Sequence, residues 1–206
     1  HRVDRRQRQM CIRDSHRGAY LMSTGSSVAW NMPNRLNFLT IVPMFHCNGW
    51  CYPWTIPMLN GRTICLRNID IKKIFELIDK YDVTHFGGAP IVLNMITGAP
   101  EADRKKLKNK VYVLTAGAPP PSIIFKKMKA LGFEVMHVYG LTETYGHVTQ
   151  CAWNDEWNDF DEDKQNEIKA RQGVRYPNTE GVTILDPETM KEVPKDGKTI
   201  GEIMIR

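Results

Sequence analysis

The segment from Tyr139 to Thr144, with the sequence YGLTET, combines residue types that suit nucleotide chemistry. Tyr139 offers an aromatic face on which an adenine can stack, and Gly140 allows close approach of the backbone. The hydroxyls of Thr142 and Thr144 can donate to a phosphate, and Glu143 can hold Mg²⁺, which takes one or two carboxylates beside phosphate oxygens and water. The chain has no GxxxxGK[ST] phosphate loop. A simple strand-to-helix turn remains the alternative for this segment.

The elements around this segment alternate between short apolar runs and amphipathic stretches, which predicts an α/β fold with a mostly parallel sheet flanked by helices. Asp70 is placed to cap a helix whose apolar stripe is Ile71, Ile74, Phe75 and Ile78. Strands are predicted at 38–44, 63–66, 83–88, 111–117 and 133–140. Helices are predicted at 50–59, from Asp70, from Pro90, at 101–109, at 122–132 and from about Asp161.

Ligands of parallel sheets bind beyond the carboxyl ends of the strands. The loops expected there, 87–90, 117–121 and 140–146, are rich in Gly, Pro, Thr and Ser. Each loop alone is also explained as an ordinary α/β turn, but their shared edge predicts a site.

Composition excludes several classes of protein. The net charge is +5, but residues 1–17 hold six arginines and two aspartates, so the basic excess lies in a tail and disfavours a nucleic-acid binder. A transmembrane segment is not predicted, because no run approaches the ~20 apolar residues of a membrane span. No GxGxxG motif supports a Rossmann-type dehydrogenase.

Five cysteines without CxxC pairs disfavour a disulfide framework and predict a reducing compartment, taken here as cytoplasmic. His46, Cys47 and Cys51 could be considered as zinc ligands. No second ligand pair has the required spacing, so ordinary buried thiols are favoured.

Three regions are predicted. Residues 1–15 are interpreted as foreign sequence or a disordered basic arm, 16–168 as the α/β part, and 169–206 as the start of a β-rich subdomain that opens with a hairpin. The chain is expected to be an internal fragment, truncated at both ends.

YGLTET resembles the YGxTE loop of the adenylate-forming (AMP-dependent) enzymes, the superfamily of the acyl-CoA synthetases. Other segments resemble the same family in the same order. They are SHRGAYLMS (15–23), VPMFHCNGW (42–50), AGAPPP (116–121), ARQGV (170–174) and EGVTILD (180–186). The resemblance covers residues 16–206 and implies the large N-terminal domain of such an enzyme.

The resemblance also implies roles for individual residues. Glu143 matches a magnesium ligand and Thr142 a contact to the α-phosphate. His46 matches a gate beside the substrate carboxylate, and Trp50 lies near the acyl pocket, although Trp50 could be pure core and His46 a structural imidazole. The implied nucleotide-binding residues are Gly117, Ala118, Pro119, Tyr139, Gly140, Leu141 and Thr142, and Gly117 also borders the acyl pocket.

The implied reaction joins a small-molecule carboxylate to CoA at the cost of ATP, through an acyl-adenylate, with release of pyrophosphate and AMP. A short- or medium-chain fatty acid or a related carboxylate such as 3-methylmercaptopropionate is the expected substrate, with Mg²⁺ as cofactor. The family's phosphate loop is expected before His16, and its ribose-binding aspartate and catalytic lysine after Arg206. This chain alone is therefore expected to be inactive. A non-catalytic nucleotide-binding or scaffold protein on the same fold is the alternative, and the sequence does not indicate an oligomeric state.

Overall fold

The computed structural model describes residues 15–206, apart from the side chains of residues 47 and 48. The interpretation of residues 1–15 as foreign or disordered thus falls outside the described residues, except at Ser15. Within the described part, no helix has both the length and the apolar character needed to cross a membrane.

The described strands form a large sheet and a separate hairpin. The strands are β1 (Asn37–Thr40), β2 (Arg62–Cys65), β3 (His85–Gly87), β4 (Val111–Thr115), β5 (Phe133–Leu141), β6 (Gly146–Gln150), β7 (Val174–Arg175), β8 (Val182–Leu185) and β9 (Glu202–Ile205). The sheet has the order β2-β1-β3-β4-β5-β6-β7. Strands β1 to β5 pair in parallel, whereas β6 and β7 join antiparallel and β8 pairs antiparallel with β9. The predicted mostly parallel sheet and the hairpin are confirmed.

Helices connect the strands and cover the sheet. They are α1 (His16–Ala29), α2 (Cys47–Trp50), α3 (Tyr52–Met58), α4 (Ile71–Tyr81), α5 (Pro90–Gly98), α6 (Ser122–Ala130) and α7 (Glu162–Lys169), with 3-10 turns at Glu101–Asp103 and Asp155–Asp159.

Both faces of the sheet carry buried apolar side chains, since successive strand residues point to opposite sides and each side packs into an apolar cluster. On one face Leu39 and Val113 pack with α4, α5 and α6 in one apolar cluster. On the other face Phe38 and Leu114 join a second cluster that includes Trp30. The predicted flanking of the sheet by helices is therefore confirmed.

Helix α4 forms as its sequence predicts. The Asp70 side chain accepts a hydrogen bond from the Lys73 amide at 3.0 Å, which satisfies a donor of the first turn. Ile74, Phe75 and Ile78 of the predicted stripe are buried in the core.

The predicted charged helix at 101–109 is wrong: only Glu101–Asp103 forms a 3-10 turn. This stretch has few apolar residues to bury, and most helical stability in proteins comes from an apolar face packed on the core. Lys105 and Lys108 instead form ion pairs with Asp79 at 3.0 and 2.7 Å.

The element boundaries near the site also differ from the predictions. The helix expected at 50–59 is divided, since Trp50 and Cys51 have φ of 56° and 66°, and α3 begins only at Tyr52. The YGLTET segment is neither a pure loop nor a strand-to-helix turn. Strand β5 continues to Leu141, and a four-residue turn leads into β6, a strand that the sequence reading did not identify.

Candidate active site

A cavity of about 210 Å³ lies beyond the carboxyl ends of the parallel strands. Because parallel strands run in one direction, the residues that follow β1, β3 and β4 meet there with the end of β5. Most of the cavity wall is apolar side chain or glycine backbone, and three ring-bearing residues, His46, Trp50 and His147, complete it. The other lining residues are Ile41, Val42, Pro43, Ile69, Gly88, Ala89, Ile91, Val92, Ala116, Gly117, Gly140, Leu141 and Gly146. An apolar chamber with few polar groups suits the hydrocarbon part of a small ligand.

Five of the predicted site residues line this one cavity: His46, Trp50, Gly117, Gly140 and Leu141. His46 is exposed and lies in the turn before α2, where its amide donates to the Pro43 carbonyl at 2.9 Å. Trp50, in contrast, is buried.

Gly117 supplies backbone rather than a side chain to the cavity. Its φ is +96°, a conformation that residues with a Cβ adopt only with strain. A Cβ placed there would meet no atom within 4 Å, so the space next to this backbone is open. Ala118 and Pro119 follow as exposed residues and are not part of the cavity wall.

Gly140 is required by a close approach between β5 and β6. A Cβ at Gly140 would lie 2.0 Å from the carbonyl oxygen of Gly146, and the pairing shifts register between Tyr139 and Gly140. The half-buried Tyr139 lies before this irregularity and does not line the cavity. The irregularity brings the end of β5 and the start of β6 together at the cavity.

The turn between β5 and β6 is held by Thr144. Its hydroxyl oxygen accepts a hydrogen bond from the Leu141 amide at 3.0 Å and lies 3.0 Å from the carbonyl oxygens of Leu141 and Gly146, its two possible acceptors. The Tyr145 amide donates to the Thr142 carbonyl at 3.2 Å. Tyr145 has φ of 66°.

Thr142 and Glu143 are carried at the tip of this turn. Thr142 is half-buried and Glu143 is exposed. Neither belongs to the cavity wall, but they directly follow Leu141, which does. The geometry thus places a hydroxyl and a carboxylate beside an apolar chamber, and not inside it.

An exposed carboxylate next to a hydroxyl can serve Mg²⁺ when phosphate oxygens and water complete the octahedron, which is the usual mode of that ion. Among residues 15–206, no group of three or more His, Cys, Asp or Glu side chains could hold a metal ion by itself. The donor set present therefore fits an ion that arrives with a phosphate ligand.

His147 is a cavity residue that the sequence reading missed. It is 3% exposed, and burial lowers its pKa to about 4, so the imidazole is neutral at neutral pH. Its ring lies edge-on to Trp50, with centroids 5.9 Å apart. The β-branched residues after Gly146 were the available signal for a strand here.

Comparison with known proteins agrees with this architecture. The model of the family described as AMP-binding enzyme matches residues 14–206. The chain is 49% identical over 193 residues to the peroxisomal acetate/butyrate–CoA ligase AAE7 of Arabidopsis thaliana, an alignment covering 93% of this chain and 34% of that protein. It is 51% identical over 194 residues to the acetate–CoA ligase CCL3 of Humulus lupulus, again covering 93% and 34%.

The fold is also that of solved structures. The O-succinylbenzoate coenzyme A synthetase (MenE) of Bacillus subtilis, in complex with ATP and magnesium ion, superimposes with a TM-score of 0.73 at 17% identity, over 93% of this chain and 37% of that one. The chain spans about a third of the length of the curated relatives it matches.

Proposed function

Because the chain belongs to the AMP-binding enzyme family, we propose that it is part of an ATP-dependent acyl-CoA synthetase that activates a short- or medium-chain carboxylate. The observation that carries the proposal is the adjacency of two features at one strand end. Leu141 lines the apolar cavity, and the turn that bears Thr142 and Glu143 follows it immediately. An acyl chain in the cavity would then direct its carboxylate toward that turn.

The first half-reaction joins two anions, the substrate carboxylate and the α-phosphate of ATP. The carboxylate oxygen attacks phosphorus and pyrophosphate leaves, so catalysis depends on neutralising charge at the phosphoryl centre. Mg²⁺, when bound with the nucleotide, supplies much of that neutralisation. Glu143 would hold the ion, and the Thr142 hydroxyl would donate to an α-phosphate oxygen.

The second half-reaction transfers the acyl group to CoA. The CoA sulfur, as its thiolate, attacks the acyl carbon, and AMP departs with the electrons of the former bond between the acyl carbon and the phosphate oxygen. Tyr139, Gly140, Gly117, Ala118 and Pro119 are the proposed nucleotide neighbours. Of these, only the two glycines also line the cavity, which suits a site where adenylate and acyl group meet.

The cavity favours a small acyl group. About 210 Å³ is less than the ~300–1,000 Å³ of pockets for drug-sized ligands. Trp50 fills part of the wall with a large indole, and His46 lies at the exposed side, where a carboxylate would enter. The names of the two relatives, an acetate/butyrate– and an acetate–CoA ligase, support the same size class. 3-Methylmercaptopropionate, whose thioether chain is short and apolar, is within the proposed range.

We also propose that residues 169–206 begin a separate β-rich subdomain, and that the protein works in a reducing compartment. Cys65 and Cys151 are outside any disulfide. Under this proposal the compartment is the cytoplasm or the peroxisome, since the relative AAE7 is named as peroxisomal. Fluorescence microscopy of the tagged full-length protein distinguishes them.

The proposal is tested on the full-length protein that contains this chain. ATP, Mg²⁺ and CoA are supplied with carboxylates of increasing length, and AMP release is followed. Glu143→Gln keeps the side-chain size but removes the charge, and should lower kcat/KM by about 100-fold or more, as for loss of a transition-state stabilising group.

Glu101→Gln is the matched control for this substitution. Glu101 is also an exposed glutamate, but it precedes β4, at the opposite edge of the sheet. It should leave kcat/KM unchanged. Equal activity of the Glu143 and Glu101 variants would refute the assigned role, and absence of AMP release with every carboxylate would refute the proposed function and favour a nucleotide-binding scaffold.

A further inference from the structure

The indole of Trp50 is in contact with two strands of the sheet. On β3, a Cβ added to Gly87 would lie 3.1 Å from both Cε3 and Cζ3 of the indole. On β6, the His147 ring lies edge-on to Trp50 at a centroid distance of 5.9 Å and an interplanar angle of 80°. A glycine without a side chain and an imidazole therefore both adjoin this part of the cavity wall.

His147 is held by packing. Its ring also contacts the ring of Tyr176, at 5.5 Å and 65°, and Tyr176 is fully buried. Within residues 15–206, no group forms a hydrogen bond with its Nε2 atom, which is closed off from solvent. A neutral ring without that hydrogen bond and away from solvent is poorly suited to proton transfer, but it is well suited to fill space beside an indole.

We propose that His147 is a positioning residue for acyl selection: it holds the Trp50 indole next to Gly87, and the place of the indole sets how long an acyl chain the cavity accepts. The inference rests on the proposed function, because it assigns the cavity to the acyl group. His147 lines the cavity, so it acts on chain length by its own ring as well as by holding Trp50, and it takes no part in the chemical step.

Two substitutions should change the chain-length profile in opposite directions. His147→Ala removes the ring beside the indole, which can then move away from the cavity and lengthen it. Gly87→Ala places a methyl group 3.1 Å from the indole, which must then shift by a few tenths of an ångström. With His147 still in contact with the ring, we expect the shift to be toward the cavity and to shorten it. For His147→Ala the ratio of kcat/KM for hexanoate to that for acetate should rise by about tenfold or more, the discrimination typical of one methylene in an apolar pocket. For Gly87→Ala the ratio should fall by less than that, because the displacement is smaller than one methylene.

The experiment compares the full-length protein with both variants on acetate, butanoate, hexanoate and octanoate, with AMP release as the readout and circular dichroism as the check on folding. His147→Phe should restore the profile, because a phenyl ring keeps an aromatic contact with the indole. His137→Ala is the control. This second buried histidine packs near Phe125, its Nδ1 lies 2.9 Å from the Ala170 carbonyl oxygen, and it does not line the cavity.

The expected result is a larger hexanoate-to-acetate ratio for His147→Ala, a smaller one for Gly87→Ala and an unchanged one for His137→Ala. A folded His147→Ala variant with the ratio of the unmodified protein would overturn the inference while leaving the proposed function intact. If that variant does not fold, an unchanged ratio for Gly87→Ala overturns it in the same way. An unmodified protein that releases no AMP with any of the four acids would remove the proposed function and the inference together.

Discussion

Three glycines of this chain separate the two reasons for which a glycine is needed. A Cβ at Gly140 would lie 2.0 Å from the Gly146 carbonyl oxygen, so the obstacle is space. Gly117 has open space around it but a φ of +96°, so the obstacle is backbone conformation. Gly98, at the end of α5, has neither obstacle: nothing lies within 4 Å of the added atom, and its φ is not in the left-handed region.

The alanine substitutions should therefore form a graded series. Gly98→Ala is expected to be neutral or to stabilise by about 0.4–1 kcal/mol, through a less flexible unfolded chain. Gly117→Ala should cost roughly 1–2 kcal/mol, the cost of a left-handed residue with a Cβ. Gly140→Ala should cost about 3 kcal/mol or more, because a backbone oxygen cannot rotate away as a flexible side chain does.

Thermal unfolding of the full-length protein measures the series. The Tm values should follow the order of these free energies, with Gly140→Ala melting clearly below the unmodified protein and Gly98→Ala melting at or slightly above it. Gly140→Ala should also lower kcat/KM by about 100-fold, since a shift near 1 Å displaces the turn that carries Thr142 and Glu143. If Gly140→Ala melts within error of Gly98→Ala, the described approach of β5 to β6 is wrong.

Two further predictions concern the buried histidines and the difference in exposure between two cysteines. Burial lowers the pKa of His147 and of His85 from the ordinary 6.5 to about 4. Between these two pH values the unfolded chain therefore binds more protons than the folded protein. The stability that is present above pH 6.5 should be lost as the pH falls toward 4. At about 1.4 kcal/mol per pKa unit, His147 accounts for up to ~3 kcal/mol of this loss of stability. His147→Phe should therefore reduce the fall in Tm between pH 7 and pH 4. An unchanged dependence of Tm on pH would contradict a buried neutral ring. Cys65 is exposed, whereas Cys151 is buried and burial raises the pKa of its thiol. Iodoacetamide should therefore modify Cys65 first and Cys151 only on unfolding, as measured by peptide mass spectrometry. Equal rates of modification would contradict the described burial.

The sequence predicted elements well where local patterns determine them. Helix α4 formed as expected, because Asp70 caps its first turn and its apolar stripe is one face of a 3.6-residue repeat. The stretch 101–109 misled the same reasoning, because a charged sequence with good helix formers lacks the apolar face that stabilises a helix in a protein. Lys105 and Lys108 found their partner Asp79 in α4, far away in sequence.

The candidate site was predictable only in part for the same physical reason. Gly117, Gly140 and Leu141 were expected at strand ends, and the family resemblance implied site roles for His46 and Trp50. The structure brings all five to one cavity. The contact between Trp50 and His147 depends on an antiparallel strand added to a parallel sheet. No local sequence pattern predicts that strand pairing. The turn between β5 and β6 is closed by the Thr144 hydroxyl, which accepts from the Leu141 amide, and by the left-handed backbone of Tyr145.

The backbone before α3 shows why Trp50 needs such support. Gly49, Trp50 and Cys51 have φ of 60°, 56° and 66°, and only the first is a glycine. A left-handed residue with a Cβ costs roughly 1–2 kcal/mol, so these two residues oppose folding by a few kcal/mol unless their surroundings compensate. Compensation is visible in the burial of Trp50 and in the Cys51 carbonyl, which accepts hydrogen bonds from the amide and hydroxyl of Thr55.

A regular helix from Trp50 onward, as the sequence predicts, would avoid this conformational cost. The left-handed pair instead separates α2 from α3, with the indole on the cavity wall. Strain that persists in a buried segment requires neighbours that fix it. Gly87 and His147 are two neighbours that adjoin the indole, and this is the physical reason why a change at either position should alter the shape of the cavity.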